Sequence, residues 1–125
     1  MPSRTYKTLI IAADTMSIGC SALDPLVCTT EARAAITVEV LDSITNAPVG
    51  KGATITASDG ATIYSAVTYD DYPGPYQLAH EKAGEFTVAV QMSGYAPWFR
   101  DGVRVTRGDC HVRTVELTAL LQPSE

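Results

Sequence analysis

Gly84-Glu85-Phe86-Thr87-Val88-Ala89-Val90-Gln91-Met92 is the stretch on which the fold turns. Phe86, Val88, Val90 and Met92 recur at every second position, with polar or small residues between them. Successive side chains of an extended backbone point to opposite faces, so this spacing predicts a strand with one face against a core.

The same rhythm runs outward from there between Gly, Pro, Asn and Asp punctuation. Upstream, Ile36-Thr37-Val38-Glu39-Val40 puts Ile36, Val38 and Val40 on one face. The segment Ser43 to Val49 reads as a turn, since Asn46 tolerates the left-handed conformation and Pro48 starts the next extended piece. Ala53 to Ser58 and Thr62 to Thr68 alternate around Asp59-Gly60, a strong tight-turn signal, and so read as a hairpin. Asp70-Asp71-Tyr72-Pro73-Gly74-Pro75 interrupts regular structure, because prolines remove ladder donors. Tyr76 to His80 follows as a short edge run. Downstream of a corner at Ser93 to Trp98, Val103-Arg104-Val105 reads as a short strand and Val112 to Leu121 as a longer one, with Val115, Leu117 and Ala119 inward. No segment offers a long amphipathic helix. About seven short strands predict an all-β, antiparallel, two-sheet sandwich over residues 34–121.

A chain of 125 residues, 46% apolar, has room for one such domain. Its formal charge of -5 argues against a nucleic-acid surface, which needs a clustered basic face. Arg100, Arg104, Arg107 and Arg113 gather late, but Asp101, Asp109 and Glu116 lie among them, as on a solvated mixed-charge face; phosphate or polyanion binding is the alternative.

Three cysteines, Cys20, Cys28 and Cys110, leave one over if two pair. Cys28 stands ahead of the first strand-like run and Cys110 ahead of the last, so a bridge between them ties the two ends of the domain together. Closing a loop of roughly 80 residues contributes about 4–5 kcal/mol in the chain-entropy description and needs an oxidising compartment. Two reduced cysteines acting as small buried hydrophobes are the other reading.

Residues 1–19 have the outline of an export segment: Arg4 and Lys7, then the short apolar run Leu9-Ile10-Ile11-Ala12-Ala13, too short to span a bilayer. Ser17-Ile18-Gly19-Cys20 resembles a bacterial lipobox, in which the cysteine receives lipid. Asp14 interrupts the apolar region, and Ser17 stands where that pattern favours leucine. Lipidation at Cys20 would use the odd cysteine and leave residues 20–33 as a tether.

The order of elements, with Asp42 closing the first strand, Thr45-Asn46-Ala47-Pro48, the Asp59-Gly60 corner, Gly84-Glu85-Phe86-Thr87-Val88 and then Gly94-Tyr95, resembles the carboxypeptidase regulatory-like domain. The resemblance covers residues 34–120 and implies a seven-stranded transthyretin-like, or prealbumin-like, sandwich. It also implies a noncatalytic companion, serving in binding, folding assistance or spacing, and does not imply a ligand; the expectation is an exported module of the periplasm or cell surface with an envelope protein or carbohydrate as partner and no cofactor.

The transthyretin-like fold also hosts 5-hydroxyisourate hydrolase, so a small hydrolase or metal-dependent enzyme is the competing reading. The Tyr-Arg-Gly-Ser ending of that family is missing, since the chain closes Leu120-Leu121-Gln122-Pro123-Ser124-Glu125. His80-Glu81 reads as part of a solvated loop rather than an acid/base pair, and His111 beside Cys110 lacks the further ligands that zinc needs. Asp70 and Asp71 could offer oxygens to calcium, without the spacing of an EF-hand. The aromatic residues Tyr69, Tyr72, Tyr76 and Trp98 form the candidate binding surface, since such side chains anchor protein partners or stack on sugars. The alternative is that Tyr95 and Trp98 plug the ends of the sandwich and the others pack on loops.

Overall fold

A computed structural model describes residues 27–68 and 71–124. Among these residues seven strands follow in chain order: β1 (Ile36–Asp42), β2 (Thr54–Ser58), β3 (Ile63–Ser65), β4 (Tyr76–Leu78), β5 (Gly84–Gln91), β6 (Trp98–Val105) and β7 (Val115–Leu121). They form two sheets, β4-β1-β7 and β3-β2-β5-β6, packed as a β-sandwich.

Alternation explains what lies between the sheets. Ile36, Val38 and Val40 of β1 and Ala119 and Leu121 of β7 face Ile55 and Ala57 of β2 and Phe86, Val88 and Val90 of β5, all buried. Met92 packs half-buried against the same cluster just beyond the end of β5. Burial of each large apolar side chain contributes roughly 1.5–3 kcal/mol. The Asp59 carboxylate accepts the backbone N–H of Ala61 and Thr62, holding the turn of the β2–β3 hairpin.

One pairing corrects the antiparallel expectation: β1 and β7 run parallel, from Ile36↔Val115 to Asp42↔Leu121. Parallel neighbours need a long crossover, and here most of the domain supplies it. The direction is tied to the disulfide. Cys28 and Cys110 are bonded, with Cα atoms 5.2 Å apart, and each lies upstream of its strand, so β1 and β7 leave the bridged end in the same sense.

Strand β6 is longer than Val103–Val105 because a bulge hides its start. Phe86 pairs with Val103 but Val88 with Arg100, so Asp101 and Gly102 together oppose Thr87. Gly102 takes φ +67°, a conformation costly for side chains with a β-carbon. The extra residue moves inward positions by one, and the alternation of Val103 and Val105 does not extend back to Trp98. Strand β7 starts at Val115, three residues later than its apolar pattern suggests, because Val112 instead forms a bridge with Arg107. No helix among the described residues is long and apolar enough to cross a membrane.

Candidate functional site

The sandwich is closed on one side, where Arg107–Val112 and Tyr95–Pro123 bridges join the regions around β6 and β7, and open on the other, where β3 and β4 are edge strands. A cleft of about 680 Å³ lies there, walled by Ile63, Tyr64, Ser65 and Val67 on one side and by Tyr72, Pro75, Tyr76, Gln77, Ala79 and His80 on the other. Ile63 is 69% exposed, Val67 64% and Tyr72 41%. Among the described residues the lining contains no carboxylate.

Of the four aromatic residues expected on one surface, the three described, Tyr72, Tyr76 and Trp98, do not share it. Tyr72 lines the cleft, and its hydroxyl donates to the Pro75 carbonyl at 2.7 Å. Tyr76 is a correction: it is 1% exposed and belongs to the core. Its strand pairs Tyr76 with Val38 and Leu78 with Ile36, so both side chains face inward with those of β1. Gly50 and Gly74 leave space for the ring, and its hydroxyl donates to the Tyr72 carbonyl at 2.8 Å, so the buried oxygen of Tyr76 is paired. Burial, with Tyr72 alongside, holds its ionisation above the ordinary tyrosine value. The two rings meet edge to face, centroids 5.5 Å apart. Tyr76 therefore floors the cleft instead of projecting from it.

Trp98 opens β6, at the far edge of the other sheet, half-buried against the core with Arg100 lying 5.2 Å from its ring centroid. Tyr69, Asp70 and Cys20, with residues 1–19, lie outside the described residues; Asp71 is exposed. Ile63 and Val67 were missed as surface residues. Their strand pattern was legible, but alternation alone does not tell which of its two faces is left uncovered.

The late arginines are dispersed among local partners. Arg104 pairs with Glu85 at 3.3 Å, Arg107 donates to the Glu81 carbonyl, and Arg113 donates to Thr106 Oγ1 and the Arg107 carbonyl.

Beside the disulfide lies a constellation that sequence reasoning did not anticipate. Glu81 is not merely solvated: its carboxylate accepts the N–H of Arg33 at 2.9 Å and of Val112 at 3.3 Å, and it meets His111 Nδ1. The Arg33 N–H first, then His111, hold its ionisation below the ordinary carboxylate range. An ionised carboxylate only accepts, so Nδ1 is the donor; in the neutral ring Nε2 then accepts the Thr29 hydroxyl, 2.9 Å away. Hydroxyl, imidazole and carboxylate thus stand in the order used for nucleophile activation. Neither the large cleft nor a smaller one of about 370 Å³ beside Glu39 and Glu116 is lined by these three residues. What the network does visibly is clamp the segment before β1 to the segments before β5 and β7, next to the Cys28–Cys110 bond. No group of three or more His, Cys, Asp or Glu side chains gathers among the described residues as a metal site.

No family model and no curated protein matches the chain. Among solved structures, a chain of the type II cohesin–X-dockerin complex from Acetivibrio cellulolyticus, crystallised as a C-terminal interface mutant, aligns with 70% of this chain at 23% identity and a TM-score of 0.44. The match spans about half of that chain's length, 55%. A likeness so distant carries no argument about function.

Proposed function

We propose that this chain is a noncatalytic interaction module of the cell envelope that engages a protein partner through the cleft between β3 and β4. The observation that carries this reading is the exposure of Ile63, Val67 and Tyr72 around a concave surface between β3 and β4, the edge strands of the two sheets among the described residues. Apolar side chains left uncovered beside open backbone are the features a polypeptide partner satisfies. The fold is read as transthyretin-like and akin to the carboxypeptidase regulatory-like domain, on the grounds of its motif order and its division into three and four strands. Residues 1–19 serve as the export segment, lipidated Cys20 as the anchor, and the part of residues 20–33 that precedes the bonded Cys28 as the tether. The Cys28–Cys110 bond fits an oxidising compartment.

A photo-crosslinking residue placed at Val67, with a control at Leu120 on the outer face of β7, tests the proposal in intact envelopes. A discrete protein adduct from position 67 alone is expected. No adduct, or equal adducts from both positions, rejects the cleft as the partner site. A second reading, hydrolysis with Thr29 as nucleophile, is favoured only by the Thr29–His111–Glu81 alignment.

A further inference from the structure

The four edge strands of the two sheets are not equally protected against pairing with another chain. Strand β6 carries Arg100, Asp101 and Arg104 and a bulge at Gly102. Strand β7 carries Glu116, and β4, three residues long like β3, follows Pro75 directly. Charge, bulges and proline are the usual means of blunting an edge. Along β3 and its continuation, Ile63-Tyr64-Ser65-Ala66-Val67, none of them occurs.

The hydrogen-bond parity of the β2–β3 hairpin shows where the free backbone points. Ala66 N–H donates to the Ile55 carbonyl, and Asp59 N–H donates to the Thr62 carbonyl. In an antiparallel ladder, bonded and non-bonded pairs alternate. Tyr64 is therefore bonded to its partner Ala57, whereas Ile63 and Ser65, opposite Ser58 and Thr56, turn their N–H and C=O groups away from β2. Val67 has the same parity. Ala66 and the Thr68 hydroxyl, which donates to the Ala53 carbonyl, keep this continuation beside β2. A row of donors and acceptors that no strand among the described residues pairs with thus borders the cleft.

We infer that β3 is a template for strand addition, on which an extended peptide segment of a partner protein pairs with the backbone of Ile63, Ser65 and Val67 and sends alternate apolar side chains into the cleft over Tyr72 and Tyr76. This rests on the cleft being the partner site and names the chemistry of its occupant. Backbone pairing supplies affinity in such complexes, and the pockets under alternate side chains supply selectivity. A second copy is the poorer occupant. The inward side chain of its β3 is Tyr64, which already packs edge to face against Phe86 and has nothing to place in a neighbour's cleft.

The test is selection of short random peptides displayed on phage against the oxidised protein, with Ser65→Pro as the discriminating variant. Proline at 65 deletes an N–H that points away from β2, so the hairpin keeps its own bonds; an unchanged unfolding midpoint verifies this. Enriched peptides with apolar residues at alternate positions, binding Ser65→Pro about tenfold more weakly, are the expected result. N-methylation of such a peptide at every second residue abolishes binding in one register and spares it in the other. Failure to enrich any peptide that discriminates Ser65→Pro, or indifference to N-methylation, overturns strand addition, while a continuing adduct at position 67 leaves the cleft itself as the partner site. A dimer in sedimentation that Ser65→Pro dissolves overturns it in favour of a second copy.

Discussion

The Tyr95 hydroxyl donates to Asp42 Oδ2 at 2.7 Å, joining the corner after β5 to the last residue of β1 across 53 positions. Oδ1 of the same carboxylate accepts the N–H groups of Ile44 and Thr45, at 2.7 and 2.9 Å. Three donors converge on one side chain, which therefore holds both a turn and a long-range contact.

This arrangement sets a pH dependence. The Thr45 N–H, then the Tyr95 hydroxyl and the Ile44 N–H, hold Asp42 below its ordinary value of 3.8. A depressed folded-state value means that the stabilisation is present above the unfolded value and is lost as pH falls through the folded one. The hydrogen bond to Asp42 raises Tyr95 above 10.0, so its contribution is full below that value and is lost as pH rises through the raised one. Circular-dichroism melts across the pH range should show Tyr95→Phe less stable than wild type at neutrality, with a shallower loss at both extremes. Parallel curves for the two proteins would contradict this account.

The disulfide closes a loop with a sequence separation of 82. Cys110→Ser should lower stability in oxidising buffer by about 4–5 kcal/mol, less any native strain. In reductant the same substitution should cost far less, because the wild-type chain is then equally unconstrained when unfolded. Denaturant titrations under both conditions measure the difference; equal losses would assign Cys110 a packing role instead.

Gly50 sits against the Tyr76 ring, and a β-carbon there would lie 2.7 Å from the Tyr76 hydroxyl oxygen. The ring is enclosed by the core and cannot swing away, so Gly50→Ala should destabilise by about 1–3 kcal/mol, the usual range for overpacking. Combining it with Tyr76→Leu should recover part of that loss relative to the sum of the two single changes. Strict additivity would mean that ring and methyl never met.

Thr29, His111 and Glu81 make the sharpest test of the noncatalytic reading. Thr29→Ala and His111→Gln should each lower the unfolding midpoint by releasing the segment before β1. Wild type and both variants should alike show no burst followed by turnover with p-nitrophenyl acetate. A burst and turnover that both substitutions abolish would establish hydrolysis and retire the interaction module as the sole function.

Strand positions were legible in the sequence because burial on one face writes a period of two into each segment. Ile36, Val38 and Val40, like Phe86, Val88 and Val90, declare their common face without reference to any neighbour. Asp59-Gly60 likewise specifies its turn locally, and the placement of Cys28 and Cys110 ahead of the first and last runs anticipated their bond. Alternation says which side chains share a face, but not what that face meets. Only the tertiary structure decided that β1 and β7 run parallel, that Tyr76 turns into the core while Ile63 and Val67 stay uncovered, and that Thr29 reaches His111 across 82 residues. Each of these depends on which strand becomes the neighbour of which, a choice set by the joint packing of two sheets and written in no single segment.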